Sequence, residues 1–126
     1  MSPKTSALTV LLFINITASA LYGSYILIPG YETLHFKANQ IEQNVMFRNP
    51  EENHCSFKMS IYLADGTNIW TADDVLNPGE AFLRIDLERK LERGIYRNAL
   101  MKYECYTLEE NIKLNGAELR VTIEVN

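Results

Sequence analysis

Two cysteines and two histidines are the strongest candidates in this chain for nucleophilic or metal chemistry. Cys55 and Cys105 lie about fifty residues apart, and His35 and His54 fall in different predicted elements. A structural zinc site usually needs four nitrogen or sulfur ligands, and this arrangement does not supply them. No Gly-x-Ser-x-Gly elbow accompanies either histidine. The sequence therefore predicts no catalytic residue and no metal site, and it favours surface positions for both histidines.

Two adjacent acid pairs, Glu51-Glu52 and Asp73-Asp74, are the candidates for calcium binding or acid–base catalysis. Neither pair has the ligand spacing of a calcium loop, so solvated surface carboxylates are the favoured interpretation. The chain also lacks a glycine-rich phosphate loop and the βαβ pattern that is typical of nucleotide and methyl-donor sites. We therefore expect a non-enzymatic protein without a cofactor.

The charge balance argues against nucleic-acid binding. The 126-residue chain has a formal net charge of −4, and its charges are interspersed without a basic patch. Binding to a phosphate backbone needs clustered positive charge, so nucleic acid is not an expected partner. The length allows one domain, and the hydrophobic fraction of 47% is ordinary for a globular chain.

The element most clearly specified by the sequence is a strand over residues 55–63. Its residues alternate between an apolar face, which includes Cys55, and a face of serine, lysine and tyrosine, which indicates a half-buried strand. Asp65-Gly66 follows, and this pair between two β-rich runs predicts a two-residue hairpin. Counting back from the turn places Trp70 opposite Ile61 on the core face.

Alternating runs separated by turn residues recur along the chain from residue 29. About seven short strands, with turns about every 8–12 residues, predict an all-β, immunoglobulin-like antiparallel β-sandwich, and a small barrel is the alternative. No convincing helix is expected after the N-terminus. The run from Ile95 to Tyr106 changes its alternation partway, which predicts a β-bulge.

The two cysteines are a disulfide candidate in this fold. Cys55 begins the central strand and Cys105 ends the long one, and antiparallel pairing of the third and sixth strands would bring both to one end of one face. Export would place them where a disulfide persists. Such a bridge would stabilise the fold by roughly 4 kcal/mol through loop-closure entropy. Two buried free thiols are the alternative.

The outward face of the predicted hairpin is the candidate partner surface. Tyr62 and, across from it, Ile69 are expected to be exposed there. Exposed aromatic and branched apolar residues on one sheet face can mark a binding surface, although single exposed apolar residues are common.

The N-terminal segment is unusually apolar. No charge occurs between Lys4 and Glu32, and the run from Ala7 to Ile28 is long enough to span a bilayer as a helix, which takes about 20 residues. A secretory signal peptide cleaved after Ala20 is one alternative. A buried helix or strand of the domain is the other. Cleavage would leave a very apolar new N-terminus, and this favours the anchor.

Anchor and signal peptide both export the rest of the chain. Lys4, on the short N-terminal side, agrees with an N-in, C-out orientation. We expect residues 1–28 to form a hydrophobic signal-anchor or signal peptide and residues 29–126 to form the sandwich domain. The domain would be extracytoplasmic and membrane-anchored, or secreted if the chain is cleaved.

A series of motifs resembles a bacterial protein family. In order, the motifs are Phe47-x-Asn49-Pro50-Glu51, Cys55-x-Phe57, Asp65-Gly66, Asn77-Pro78-Gly79-Glu80, Leu91-x-x-Gly94-x-Tyr96 and Asn115-Gly116-Ala117-Glu118. From Pro29 onward the chain resembles small membrane-anchored immunoglobulin-like proteins of Gram-positive (Firmicutes) bacteria. The resemblance implies a fold and a topology. Its motifs are turn and core positions, so it implies no catalytic site.

Two functions of different classes follow. We favour a non-enzymatic, membrane-tethered interaction module of the bacterial cell surface that binds other envelope or surface proteins. The alternative is an exported enzyme or ligand-binding protein with an unrecognised pocket. A cluster of His35 or His54 with a carboxylate in a cleft would favour the alternative.

Overall fold

The structure, a computed structural model, describes residues 7–13 and 25–126. These residues form strands, turns and loops and contain no helix, which confirms the all-β prediction for this part of the chain. The nine strands are β1 (Ala7–Phe13), β2 (Tyr25–Tyr31), β3 (Thr33–Phe36), β4 (Glu42–Arg48), β5 (Cys55–Tyr62), β6 (Asn68–Thr71), β7 (Ala81–Asp86), β8 (Gly94–Thr107) and β9 (Lys113–Val125). Seven of them, β3 to β9, lie within the predicted domain.

The strands form three sheets that share one hydrophobic core. The largest has the order β3-β9-β8-β5-β6, in which β3 and β9 are parallel and the other neighbours are antiparallel. Two smaller antiparallel sheets consist of β4 with β7 and of β1 with β2. Phe47 of β4 contacts Trp70 of β6 with ring centroids 5.7 Å apart, so the β4–β7 pair packs on the large sheet.

The core face predicted for the central strand is confirmed in β5, whereas the predicted water-exposed face is not. Phe57, Met59 and Ile61 are buried, and β5 lies between β8 and β6. Ser56 and Ser60, on the face expected to be in water, are also buried. On that face, Ser56 lies opposite Tyr106 and Ser60 lies opposite Lys102. The larger side chains of the neighbouring strand therefore shield the short serine side chains from solvent.

The hairpin after β5 has the predicted core pair but a different turn. Ile61 lies opposite Trp70, as expected. The Leu63 N–H donates to the Thr67 carbonyl at 2.8 Å, and Gly66 alone in the turn has a positive φ, of 92°. This is a three-residue loop with a glycine bulge rather than a two-residue primed turn. The register shifts between Ile61 and Tyr62, where Ile69 is the extra residue of β6.

The bulge predicted in the long strand is present in β8. Its register with β9 shifts between Tyr96 and Ala99, where Asn98 has a φ of 58°. After this point Ala99, Met101, Tyr103 and Cys105 are all buried on one face. The register shifts a second time between Tyr103 and Cys105.

The N-terminal hydrophobic run differs from the expected helix where the structure describes it. Residues 7–13 and 25–31 are strands paired in antiparallel register, with Ala7 opposite Tyr31. Ile26 and Ile28 are buried in the core, so the core includes residues that the sequence assigns to the anchor. The remaining residues of the expected anchor, 14–24, lie outside the described residues.

Hydrophobic periodicity does not distinguish a helix from a strand in this segment. A short apolar run is compatible with a buried strand or a helix, and only length and flanking residues separate the two. Tyr25 to Tyr31 contains two isoleucines, two tyrosines, a proline and a glycine, a composition that favours a strand over a helix interior. Among the described residues, no helix is long and apolar enough to cross a membrane.

Candidate functional site

The predicted disulfide is absent. Cys55 and Cys105 are both free and buried. The register of β5 and β8 sets Cys55 opposite Thr107 and Cys105 opposite Phe57, so the two cysteines are diagonal neighbours. Diagonal Cα atoms are about 7–8 Å apart, beyond the usual limit of about 7 Å for a disulfide. The predicted strand pairing is correct, but its two-residue stagger keeps the thiols from disulfide distance.

The two thiols lie next to each other in the core. The interaction with Cys55 and burial raise the pKa of the Cys105 thiol, whereas the interaction with Cys105 lowers the pKa of the Cys55 thiol. Reactive cysteines are partly exposed, but these two are only 2% and 0% exposed. The pair is therefore a packing element of the core, which was the alternative that the sequence left open.

The histidines lie apart from each other. His35 Nδ1 is 4.0 Å from Glu124 Oε1, its cross-strand neighbour on β9, and both side chains are partly exposed. His54 is exposed in the turn before β5. In the part of the chain that the structure describes, no three His, Cys, Asp or Glu side chains group closely enough to hold a metal ion. His35 lies on β3, which is an edge strand of the large sheet.

The structure separates the two residues of the predicted partner surface. Ile69 is fully buried, with 0% of its surface exposed, so its assignment to an exposed face was wrong. Tyr62 is half-buried and lies opposite Asn68 rather than Ile69, because of the bulge in the hairpin. Tyr62 borders a shallow depression together with Lys102 and Arg120 on the large sheet.

Two asparagines that the sequence marks only as turn residues form a buried clamp. Asn49 Nδ2 donates to the carbonyls of Cys55 at 2.9 Å and Leu76 at 2.8 Å. Asn53 Nδ2 donates to Asn49 Oδ1 at 2.8 Å. Asn53 also binds both backbone groups of Leu27: its Oδ1 accepts the N–H at 2.8 Å and its Nδ2 donates to the carbonyl at 2.9 Å. We call Asn49 and Asn53 the asparagine clamp.

Two tyrosines add to this clamp around β2. The Tyr103 hydroxyl donates to the Pro29 carbonyl at 2.7 Å, and the Tyr31 hydroxyl donates to the Met46 carbonyl at 2.6 Å. Burial raises the pKa of Tyr31 to about 12 and raises the pKa of Tyr103. Both hydroxyls therefore stay protonated and able to donate at physiological pH. β2 is thus fixed to the domain by side chains of β8 and of the turn before β5.

An acidic cleft lies between β6 and the β4–β7 pair. Its volume is about 560 Å³. Five carboxylates and one guanidinium line it, together with Trp70 and Phe82. The carboxylates belong to Glu42, Asp73, Asp74, Asp86 and Glu88. The cleft therefore has a formal charge as negative as that of the whole chain, which is −4.

The charges of the cleft are mostly uncompensated within it. The only ion pair that the described residues form in the cleft joins Arg84 Nε to Glu42 Oε2 at 3.2 Å, and both side chains are exposed. Half-buried Phe82 supplies the aromatic surface of the cleft, and the buried Trp70 packs edge-on against it with centroids 5.7 Å apart and an interplanar angle of 88°. The cleft thus combines available negative charge with a small aromatic surface, a combination that suits a positively charged ligand.

The sequence signals for the cleft were present but dispersed. Asp73-Asp74 has the pattern of solvated surface charge, whereas Asp86 and Glu88 alternate with the buried Ile85 and Leu87 in a different part of the chain. Only the packing of β7 beside β6 brings the two sets together. A single sequence does not give this inter-sheet proximity.

Comparisons with known proteins do not assign the chain to a group. No protein-family model, no curated protein and no solved structure matches it. The resemblance to membrane-anchored immunoglobulin-like proteins therefore stays a prediction from the motifs. Function is argued below from the geometry of the domain.

Proposed function

We propose that this chain is a non-enzymatic, extracytoplasmic and membrane-tethered module that binds other proteins of the cell surface or envelope. The observation that carries the proposal is the acidic cleft, in which four carboxylates have no ion-pair partner. Uncompensated charge on a surface accelerates encounter with an oppositely charged partner and selects against partners of like charge. The expected partner region is therefore a basic, exposed protein segment.

The strand order supports an immunoglobulin-like sandwich as the scaffold. The neighbours β9-β8-β5-β6 follow the G-F-C-C′ order of one immunoglobulin sheet, and β4 with β7 matches the B–E pair of the other. Loops at the ends of such sandwiches commonly bind partners. The cleft lies beside such a connection, since the Glu88 N–H that follows β7 donates to the Ile69 carbonyl of β6 at 2.8 Å.

The tether in this proposal is the uncharged N-terminal run. The tether requires residues 7–13 to leave the β1–β2 pairing that the structure shows. Because β2 begins at Tyr25, the spanning helix would then be limited to residues 7–24, close to the lower end of the range of about 17–25 residues. The domain would then follow the bilayer without a linker, and a basic partner would approach it along the membrane surface.

A cationic small molecule is the alternative occupant of the cleft. The volume of about 560 Å³ falls within the range of about 300–1,000 Å³ that is usual for small-molecule sites. Such sites are predominantly apolar, however, whereas this cleft exposes mainly polar groups. The protein-binding proposal is favoured for this reason.

Cross-linked pull-downs of the full-length chain from membranes test the cleft. In the double variant Asp74→Asn/Asp86→Asn, the recovered partner should fall at least about tenfold, since two of the four unpaired charges are removed. The matched control, Glu109→Gln/Glu110→Gln, neutralises two exposed carboxylates of the β8–β9 turn and should retain the partner. Equal recovery from both variants would exclude the cleft as the binding site.

The location is tested separately by N-terminal sequencing of the protein from cells. We expect a membrane fraction whose chain still contains the N-terminal run. A chain that begins at Leu21 and is recovered from the medium would contradict the tether and support the signal peptide.

A further inference from the structure

Strand β2 has two edges that are held in different ways. On its inner edge the backbone is hydrogen-bonded to side chains. Asn53 binds both the N–H and the carbonyl of Leu27, and the Tyr103 hydroxyl donates to the Pro29 carbonyl. On its outer edge it pairs with β1. Among the described strands, β1 is the only one that shares a sheet with β2.

The alternation of the backbone identifies the groups of the outer edge. Successive residues of a strand point their N–H and carbonyl groups to opposite edges. Since Leu27 and Pro29 point inward, Ile26, Ile28 and Gly30 point outward, where their register partners are Leu12, Val10 and Leu8. The missing N–H of Pro29 therefore falls on the inner edge, and it does not interrupt hydrogen bonding on the outer edge.

Several contacts that do not involve β1 hold β2 on the domain. Asn53 and Tyr103 bind its backbone on the inner edge, and the Tyr31 hydroxyl of β2 donates to the Met46 carbonyl. Ile26 and Ile28 are 3% and 0% exposed in the core with β1 in place. β1, by contrast, has no extensive contact with any other described element. Withdrawal of β1 would thus leave a formed strand with an open row of backbone donors and acceptors.

The features that usually protect such an edge are missing here. Natural edges carry charged residues or a proline that faces outward, which discourages pairing with other chains. Residues 25–31 contain no charged side chain, and Pro29 faces inward. The outer edge is therefore well suited to accept an added strand.

We propose that the outer edge of β2 is a strand-acceptor site for one extended, uncharged apolar segment of a partner envelope protein. In the structure, residues 7–13 fill this site. The sequence of β1, ALTVLLF, indicates the chemistry that the edge accepts: no charge and a high share of branched apolar residues. The proposal rests on the proposed function for its physiological setting. Residues 7–13 cannot pair with β2 while they span a bilayer, so tethering of the chain vacates the edge for the partner.

A pair of proline variants in the full-length chain tests the site. Val10→Pro removes an N–H that faces β2 and should release β1, because proline cannot donate to the ladder. Leu11→Pro, the matched control, removes an N–H that faces away from β2 and should leave the pairing intact. The readout is hydrogen exchange at the amides of Ile26, Ile28 and Gly30, with Trp70 fluorescence as the check that the domain remains folded.

The probe is a synthetic peptide with the sequence of residues 7–13, followed by two lysines for solubility. In Val10→Pro, the three amides should exchange at least about tenfold faster than in Leu11→Pro, and the peptide should restore their protection. In Leu11→Pro the peptide should have no effect, since the edge is filled. A peptide with proline at its own fourth position should fail to protect Val10→Pro.

Three outcomes would overturn the proposal. Amides that stay protected in Val10→Pro without peptide would mean that their protection does not depend on pairing with β1. Unprotected amides after addition of the peptide would mean that the edge does not accept a strand. A dimer of Val10→Pro in sedimentation without peptide would assign the edge to a second copy instead. Neutralising the acidic cleft leaves all three readouts unchanged, so failure here is distinguishable from failure of the proposed function.

Discussion

The asparagine clamp and the acidic cleft are both polar regions built from turn and strand-end residues, yet they differ in every physical respect. The clamp is buried, with Asn49 and Asn53 only 1% and 3% exposed, and no buried side-chain polar atom among the described residues lacks a hydrogen-bond partner. The cleft is open and has five carboxylates against one guanidinium. The difference indicates which polar groups maintain the fold and which are free to bind.

The contrast follows from the cost of removing polar groups from water. A buried amide without a partner costs roughly 1–3 kcal/mol, so the clamp persists only because each of its bonds is made. Solvated carboxylates bear no such cost, and the cleft tolerates unpaired charge. Substitutions in the clamp should therefore lower stability, whereas substitutions in the cleft should change binding.

The largest loss of stability is expected for Asn49→Ala. This change removes the donors to the Cys55 and Leu76 carbonyls and the acceptor of Asn53, so the free energy of unfolding should fall by about 4–6 kcal/mol. Urea denaturation followed by circular dichroism measures it. Asn77→Ala, at an exposed turn position, is the control and should stay within about 0.5 kcal/mol of wild type. Similar losses in both variants would remove the distinction between the two regions.

Trp70→Ala should have the next largest effect, because Trp70 belongs to both the core and the wall of the cleft. Its ring packs against Phe47 and Phe82, each with centroids 5.7 Å away, and it is 5% exposed. Truncation should cost about 3–5 kcal/mol. Trp70→Phe keeps an aromatic ring and should cost clearly less. A tryptophan emission maximum typical of water in the folded wild type would contradict this placement.

High pH should weaken the clamp region through Tyr31. Burial raises the pKa of its hydroxyl from 10.0 to about 12, so the neutral phenol stabilises the fold fully below pH 10. This contribution, roughly 2–3 kcal/mol, should be lost as the pH rises from 10 to 12. Unfolding midpoints across this range should therefore fall more steeply in wild type than in Tyr31→Phe. Identical pH profiles for the two proteins would show that Tyr31 does not carry the effect.

The smallest change is expected for Asp86→Asn in the cleft. Removing one of several neighbouring carboxylates relieves like-charge repulsion, so stability should rise slightly, by less than about 0.5 kcal/mol. The gain should disappear in 1 M salt, where the screening length is only about 3 Å. Thermal unfolding at low and high salt measures this. A destabilisation of the size expected for Asn49→Ala would mean that Asp86 is structural and would cancel the contrast.

The sequence predicts the parts of the fold that depend on local alternation. The buried face of β5, the pairing of Ile61 with Trp70 and the bulge in β8 all follow from a period of two and its interruptions. The burial of Ile69 does not follow, because this residue is the extra one at the register shift and changes the alternation of β6.

The features that the sequence does not predict correctly depend on strand registers and on distances between segments that are far apart in the chain. A stagger of two residues between Cys55 and Cys105 prevents the disulfide. The alternation of β5 and β8 would be the same if the two cysteines were directly opposite, so it does not predict the stagger. Asn49 and Asn53 have the composition of an ordinary polar turn, so their burial depends on contacts with Leu27 and Leu76 that sequence patterns do not encode. The acidic cleft likewise requires the placement of one sheet beside another.

The parallel pairing of β3 with β9 has a mechanical consequence. Residues 33–36 pair with residues 122–125, and the backbone bonds from Ala38 to Asn126 and from Asn126 to Phe36 extend the contact. In a parallel pair, tension applied between the start of β3 and the end of β9 acts along the strands, so their hydrogen bonds are loaded together in shear rather than one after another. A domain held at its N-terminal side and pulled through its last strand would therefore resist extension until this whole contact slides.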